Sequence, residues 1–186
     1  QLDKAEQALI EAKAASDSLG DKDLIANSNI ILGKIARTKS EYDKALTLYT
    51  EAAGIYAEIG NQYELAITYL HISTIFSDID LLAKTIEYEL LTLNIAEELN
   101  DDKLRLEALS SIALTTMTSG IFYYLEHEKD TLNFQSTLDT LDFYFKKSET
   151  HFYEALSLAR ERGSQENELN LLNNIVALSI NMKKYE

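Results

Sequence analysis

Histidines and carboxylates are the side chains in this sequence that could do acid–base or metal chemistry, because the chain contains no cysteine. The three histidines are His71, His127 and His151. None of them forms the His-x₃-His pair typical of a zinc site, although glutamates flank the last two. Acidic pairs such as Glu97-Glu98 lie in regular helical pattern with no pocket indicated around them. We therefore predict no metal site and no cofactor.

Motifs that would indicate catalysis are also missing from the sequence. It has no glycine-rich phosphate loop, no nucleophile elbow and no His-Glu-x-x-His pair. We predict that the chain is not an enzyme, and that any associated catalytic domain lies outside these 186 residues.

Composition indicates an all-α protein with an acidic surface. Apolar residues make up 46% of the 186 positions, proline is absent and glycine occurs six times, which favours helix over tight β-turns. The formal charge of −14 disfavours nucleic acid as a direct partner, and no apolar run is long enough to insert into a membrane. An alternative reading of the charge is that acidic outer faces simply keep the chain soluble.

A repeat of about 40 residues is visible when the chain is compared with itself. The same offset of 40 pairs Leu32 with Ile72 and Ile35 with Ile75. Further along, an offset of 63 pairs Asn94-Ile95-Ala96 with Ser157-Leu158-Ala159. The third full unit therefore contains an insertion of about 21–23 residues.

Each unit divides into two amphipathic helices separated by short polar breaks. Gly60 and Asn100 suit the left-handed position that ends a helix, and an Asp or Asn beside them can cap the next one. Connections this short require neighbouring helices to be antiparallel. The pattern predicts about eight helices, at 2–19, 22–38, 41–59, 62–79, 81–99, 102–127, 135–162 and 166–183.

The packing positions resemble the tetratricopeptide (TPR) family. In its second helix that family has Ala, an aromatic four residues later and Ala three after that. This sequence has Leu32-Gly33 in one helix, followed by Ala45, Tyr49 and Ala52 in the next. The same positions hold Ala5, Leu9 and Ala12 in a partial first unit and Ser148, Phe152 and Ala155 in the third full unit. The resemblance implies a right-handed α-solenoid of antiparallel helix hairpins, with the third full hairpin elongated.

Some units depart from this family pattern. Thr85, Glu89 and Thr92 stand where Ala, aromatic and Ala are expected. The position of Gly33 is assigned to Ser73, Thr115 and Val176 in the later units. A period near 40 in place of 34 resembles the long-period arrays of bacterial sensor kinases and regulators.

The whole chain is predicted to be one repeat domain. Residues 2–20 form the second helix of a partial unit, and three full units follow at 22–60, 62–100 and 102–163, the last with its insertion near 119–141. Residues 166–186 form the first helix of a further unit. We expect a fragment of a longer protein, in the cytoplasm or periplasm, since the sequence does not indicate the compartment.

A concave groove lined by the first helices is implied by the resemblance. Asn side chains there can pair with the backbone of an extended peptide, and Lys34 with Arg37 could hold a carboxylate. The alternative is that these polar residues are merely solvated. The groove candidates are Asn27, Lys34, Arg37, Thr74, Ser77, Asp78, Thr116, Asn170, Asn173 and Asn181.

Aromatic residues concentrate around the insertion, where nine of the seventeen lie between Phe122 and Tyr153. We expect the lengthened hairpin to project beyond any neighbouring repeat, so that its aromatics pack on each other or on another protein. The interface candidates are Phe122, Tyr123, Tyr124, Phe143, Tyr144 and Phe145.

The expected function is a non-catalytic scaffold that binds a protein or peptide. The resemblance suggests the sensor or interaction region of a bacterial signal-transduction protein. The alternative is a structural assembly or homodimerisation module that uses the aromatic hairpin.

Overall fold

The computed structural model describes residues 7, 10, 11, 14, 16, 18–130 and 132–185. From residue 22 to residue 185 the described residues form seven helices and no strand. The helices are α1 (Lys22–Thr38), α2 (Tyr42–Ile59), α3 (Gln62–Asp78), α4 (Leu82–Glu98), α5 (Asp102–His127), α6 (Phe134–Glu161) and α7 (Gln165–Tyr185). The all-helical prediction is confirmed, and the predicted bounds of these seven helices differ from the observed ones by at most two residues.

The predicted helix at 2–19 is described only in part. Residues 7, 10, 11, 14, 16, 18 and 19 are helical. Ala5, Leu9 and Ala12 lie outside the described residues. The chain divides into two compact units, Gln1–Ile95 and Ala96–Glu186, with the boundary inside α4.

A left-handed residue recurs every twenty positions. Gly20, Ser40, Gly60, Asp80 and Asn100 have φ values of 67°, 60°, 74°, 57° and 52°. The residue after each of the last four donates its N–H to the carbonyl five residues earlier, as Asn61 does to Tyr56 at 2.9 Å. This bond satisfies a carbonyl at the helix end and turns the chain back on itself. The predicted left-handed conformations of Gly60 and Asn100 are confirmed.

Caps recur forty residues apart at the starts of α1, α3 and α5. Asp21, Asn61 and Asp101 each accept a hydrogen bond from the backbone N–H three residues later, at 3.1, 3.3 and 2.9 Å. Such caps satisfy a free donor of the first turn and contribute about 1 kcal/mol each. The turn and cap together set where the first helix of each unit begins.

In the first unit, α1 and α2 pack through a glycine and a tyrosine. Tyr49 is buried between Ala45 and Ala52, both of which have no exposed surface. A Cβ added at Gly33 would lie 2.5 Å from Cε1 of Tyr49, so only glycine permits this contact. Small residues on both helices thus leave room for one large ring.

The α3–α4 pair has a more polar interior. Ser73 replaces the glycine and Glu89 replaces the tyrosine, and both are buried. The hydroxyl of Thr92 donates to the backbone carbonyl of Ala66 at 3.2 Å, a bond that ties α4 to α3. A hydrogen bond to main chain here takes the place of the aromatic packing in the preceding hairpin.

In the second unit, α5 and α6 are longer than the other helices of the chain, at 26 and 28 residues. A Cβ at Gly120 would lie 2.6 Å from Cβ of Tyr144, so the two backbones approach closely there. Lower in the pair, Ser148 Oγ donates to the carbonyl of Ala113 at 2.7 Å. Ala113, forty residues after Ser73, therefore occupies the small-residue position, which corrects the assignment of that position to Thr115.

Replacing Gly33 by alanine tests the glycine contact. The added methyl group must displace the Tyr49 ring, and overpacking of this kind costs about 1–3 kcal/mol, which exceeds the gain in helix propensity. We expect Gly33→Ala to lower the free energy of unfolding in urea. The matched control is Gly54→Ala in α2, where an added Cβ meets nothing within 4 Å and should stabilise the helix by about 0.5–1 kcal/mol. Equal stabilisation by both variants would contradict the packing described.

Candidate functional site

Arg37 and Asp78 form an ion pair between α1 and α3 of the first unit. Arg37 Nε lies 2.6 Å from Asp78 Oδ2 and Nη2 lies 3.1 Å from Oδ1, so the pair is bidentate. The hydrogen bond to Asp78 raises the pKa of Arg37. Two predicted groove residues are thus brought together, but the internal carboxylate already occupies the guanidinium predicted to bind one from a partner.

His71 lies beside this pair and stacks on Tyr49, with ring centroids 5.3 Å apart and planes 30° from parallel. Its Nε2 is buried and has no hydrogen-bond partner in the described part of the chain. Burial lowers the pKa of His71 to about 4, and the positive charges of Lys34 and Arg37 act in the same direction. Burial also raises the pKa of Tyr49 to about 12. His71 is therefore a neutral packing residue at physiological pH.

The other candidates of the first unit are mostly engaged internally. Asn27 accepts a hydrogen bond from the Tyr56 hydroxyl at 3.0 Å and donates to Asp23. Thr74 Oγ1 donates to the carbonyl of His71 at 2.7 Å. Lys34 and Ser77 are exposed. This region offers a partner few polar atoms that are not already bonded.

A groove of about 300 Å³ lies between α5 and α7 in the second unit. Three leucines form its apolar part, and polar side chains of both helices stand around them. The lining residues are Lys103, Leu106, Glu107, Ser110, Ser111, Leu114, Asn167, Asn170, Leu171 and Asn174.

Three asparagines give the α7 side of the groove its chemistry. Asn167, Asn170 and Asn174 are spaced i, i+3 and i+7, which places them on one helix face. Leu171, buried within the same face, sets that side of α7 against the rest of the unit. Each carboxamide both donates and accepts, so the row can pair with the N–H and C=O groups of an extended backbone.

Of the predicted candidates in this unit, Asn170 lines the groove and three others do not. Thr116 is buried, with 2% of its surface exposed, so it is closed to a partner, which corrects the register predicted for α5. Asn173 is exposed on α7 away from the groove. Asn181 donates to the carbonyl of Ala177 at 3.0 Å and also lies outside the groove.

Sequence reasoning missed Asn167 and Asn174, together with Lys103 and Glu107 on α5. The spacing of three asparagines about one buried leucine was the available signal for α7. No comparable signal marked α5, because apolar and hydroxyl residues surround that helix on several sides.

The aromatic hairpin is partly covered by α7, contrary to the expectation that nothing would cover it. Tyr124 of α5 lies 4.6 Å from Tyr185 between ring centroids, and Phe145 of α6 lies 6.3 Å from the same ring. Phe145 is buried, so it is a core residue and its prediction as an interface residue is corrected. The last turn of α7 packs on the hairpin because both long helices extend alongside it.

The remaining aromatics divide into packed and exposed side chains. Tyr123 stacks on His127 with centroids 4.3 Å apart and lies 6.5 Å from Tyr144. In contrast, Phe122 and Phe143 leave 44% and 60% of their surfaces in solvent. Only these two of the six candidates present a largely free ring.

A second cavity, of about 250 Å³, lies between α6 and the end of α7. Phe145 and Tyr185 wall it on one side. Its two carboxylates are already engaged, since Gln135 donates to Asp139 at 2.9 Å and Lys146 donates to Asp142 at 2.6 Å. The α5–α7 groove is therefore the better candidate site.

Within residues 18–130 and 132–185, no group of three or more His, Asp or Glu side chains is placed to hold a metal ion. His127 uses Nδ1 in a 2.8 Å contact with the carbonyl of Tyr123. None of the helices in the described part of the chain is both long and apolar enough to cross a lipid bilayer.

Known structures resemble this arrangement of helices. No protein-family profile matches the chain, and curated proteins give no sequence match. The crystal structure of a Podosopora anserina kinesin light chain protein with nearly identical TPR-like repeats superposes with a TM-score of 0.57 at 12% identity, over 96% of this chain and 87% of that one. BtubC (BKLC) from P. vanneervenii gives a TM-score of 0.55 at 16% identity, over 100% and 76%. The chain has a TPR-like repeat fold.

At these identities the TPR-like assignment concerns the fold alone. The sequence resemblance drawn from Gly33, Ala45, Tyr49 and Ala52 is confirmed at that level. It transfers neither a partner nor an activity from the neighbours to this chain.

The pKa of His71 provides a test of the first unit. We expect its imidazole resonances to titrate in NMR with a midpoint near 4, well below the ordinary 6.5. Lys34→Gln should raise that midpoint only slightly, because burial is the largest cause. Since the unfolded chain binds the proton more readily between these two values, stability should fall as pH drops through this range, and His71→Gln should reduce that fall. A midpoint at 6.5 would show that His71 is solvated.

Proposed function

We propose that this TPR-like chain is a non-catalytic scaffold that binds an extended segment of a protein or peptide in the groove between α5 and α7. The observation that carries the proposal is the row of Asn167, Asn170 and Asn174 beside a leucine-lined floor. TPR-like folds are in general protein-interaction scaffolds, which supports the same reading.

The groove suits a main chain better than a compact ligand. Carboxamides in a row can pair with successive peptide groups, while the leucine floor accepts an apolar side chain from the segment. Lys103 and Glu107 stand on the opposite helix and can contact charged side chains on either side of it. Sequence preference would then come from the apolar position and the flanking charges.

The charge of the chain favours a basic segment. A formal charge of −14 on 186 residues attracts cationic partners over long range and raises their association rate. The effect is screened as ionic strength rises. We therefore propose a segment with net positive charge and at least one apolar side chain.

The wider setting of the proposal follows the sequence expectations. The repeats are taken to belong to a right-handed α-solenoid of the long-period type, with the α5–α6 hairpin elongated by an insertion. The proposed context is the sensor or interaction region of a bacterial signal-transduction protein. Nucleic acid is not a proposed partner, on the ground of charge.

Paired substitutions on α7 test the groove. Phage-displayed random dodecapeptides selected on the immobilised chain supply the probe, and the enriched peptides are measured by fluorescence anisotropy. We expect Asn170→Ala with Asn174→Ala to weaken binding about tenfold or more, since each lost hydrogen bond costs about 0.5–1.5 kcal/mol. Asn173→Ala is the matched control and should leave the affinity unchanged, because Asn173 lies outside the groove.

Two results would count against the groove. One is that enriched peptides bind the double variant and the parent chain equally. The other is that Asn173→Ala weakens binding as much as the double variant does. Circular dichroism of each variant shows whether the helices are intact.

A second candidate function is assembly through the aromatic hairpin, favoured by the exposed rings of Phe122 and Phe143. Under this alternative, copies of the chain associate through these rings. Replacing both by serine should then convert an oligomer measured by light scattering to monomer, with unchanged helicity. An oligomer that survives the double substitution would exclude this surface.

A further inference from the structure

An apolar stripe lies exposed along α7. Leu169, Leu172, Val176 and Ile180 leave 60%, 38%, 57% and 63% of their surfaces in solvent. Their spacing of three, four and four residues places them on one face of the helix. We call these four residues the α7 stripe.

The corresponding face is covered in the hairpins of the chain that have two described helices. An offset of 63 relates Leu169, Leu172 and Val176 to Leu106, Leu109 and Ala113 of α5, which are all buried. Ala113 faces the following helix, since its carbonyl accepts from Ser148 of α6. The α7 stripe is therefore a helix-packing face, and no helix within residues 18–130 and 132–185 covers it.

The stripe differs from those earlier faces in side-chain size. The position of Val176 is Gly33 in α1, Ser73 in α3 and Ala113 in α5, which leaves room for a large side chain from the next helix. Gly33 accommodates Tyr49 in this way. Val176 and Leu169 fill that space themselves, so the stripe suits a partner helix that is equally aliphatic and has no protruding ring.

The charges along α7 complement each other when two copies run antiparallel. The first turn carries Glu166 and the last turn carries Lys184. They are 18 residues apart, about five helical turns, and so lie on the same side of the stripe. In an antiparallel pair centred near residue 175, Glu166 of each copy would lie opposite Lys184 of the other, and Leu169 opposite Ile180.

We propose that the α7 stripe mediates a twofold-symmetric homodimer in which two α7 helices pack antiparallel. The apolar side chains supply the buried area, and the two symmetric Glu166–Lys184 pairs set the direction. A single helix pair buries less than the roughly 800 Å² per partner of a standard interface, so a dissociation constant in the micromolar range is expected. The dimer does not depend on peptide binding, because the stripe and the α5–α7 groove share no residue.

Sedimentation equilibrium over a concentration series tests the proposal. The parent chain should approach twice its 21.0 kDa mass as concentration rises. Val176→Glu should give a monomer at all concentrations while helicity is retained, because the side chain is exposed within one copy. Phe143→Glu is the matched control on α6 and should leave the dimer intact. A parent chain that stays monomeric, or a dimer lost in Phe143→Glu and kept in Val176→Glu, overturns the proposal.

Charge exchange tests the direction of packing. Glu166→Lys or Lys184→Glu alone should weaken the dimer about tenfold, since two symmetric pairs become repulsive. The double exchange should restore the parent affinity. If the double variant is weaker than either single variant, the two charges do not face each other and antiparallel packing is wrong.

Cross-linking gives an independent readout, since the chain contains no cysteine of its own. Asn173→Cys lies near the centre of the antiparallel pair and should form an intermolecular disulfide with oxidised glutathione as oxidant. Glu166→Cys should not, because the two copies of residue 166 would be about 27 Å apart at 1.5 Å per residue. Efficient cross-linking at 166 and none at 173 would indicate parallel helices and overturn the proposal.

Discussion

Reversal of the chain every twenty residues is the constraint on which this structure depends. Left-handed residues at Gly20, Ser40, Gly60, Asp80 and Asn100 end the successive helices. Because Ser40, Asp80 and Asn100 have a Cβ, the left-handed conformation is mildly unfavourable there, and the backbone bond that it permits offsets the cost. Caps at Asp21, Asn61 and Asp101 then start a helix at a constant interval. Neighbouring helices must run antiparallel, and each has to bury one face on the next.

The same packing position is filled differently from one pair of helices to the next. Gly33 contacts Tyr49, whereas Ser73 and Glu89 are the buried residues at those positions in the following pair. In the α5–α6 pair, a hydrogen bond from Ser148 to the carbonyl of Ala113 joins the helices. Close approach of two backbones is common to all three, so the fold tolerates wide change in the side chains that fill the remaining space. That tolerance accounts for clear structural neighbours at 12–16% identity alongside no matching family profile.

Polar residues on the first helices differ in whether they are available to a partner. Arg37 and Asp78 neutralise each other, and Asn27 is bonded on both sides of its carboxamide. The groove beside α7 instead combines an apolar floor with Asn170 and its neighbours. Binding chemistry is therefore concentrated where polar side chains have no strong internal competitor.

Helix boundaries, the unit length and the small-residue positions could all be read from the sequence, because they depend on local capping, backbone conformation and periodicity, which involve residues close in the chain. The rotation of α5 could not, since apolar and hydroxyl residues surround it, and only packing shows that Thr116 is buried while Ser110 lines the groove. The pairing of Arg37 with Asp78 and the cover that Tyr185 provides for Tyr124 likewise join residues 41 and 61 positions apart. Contacts of that range depend on how helices are set against one another in space, and local periodicity carries no information about that setting.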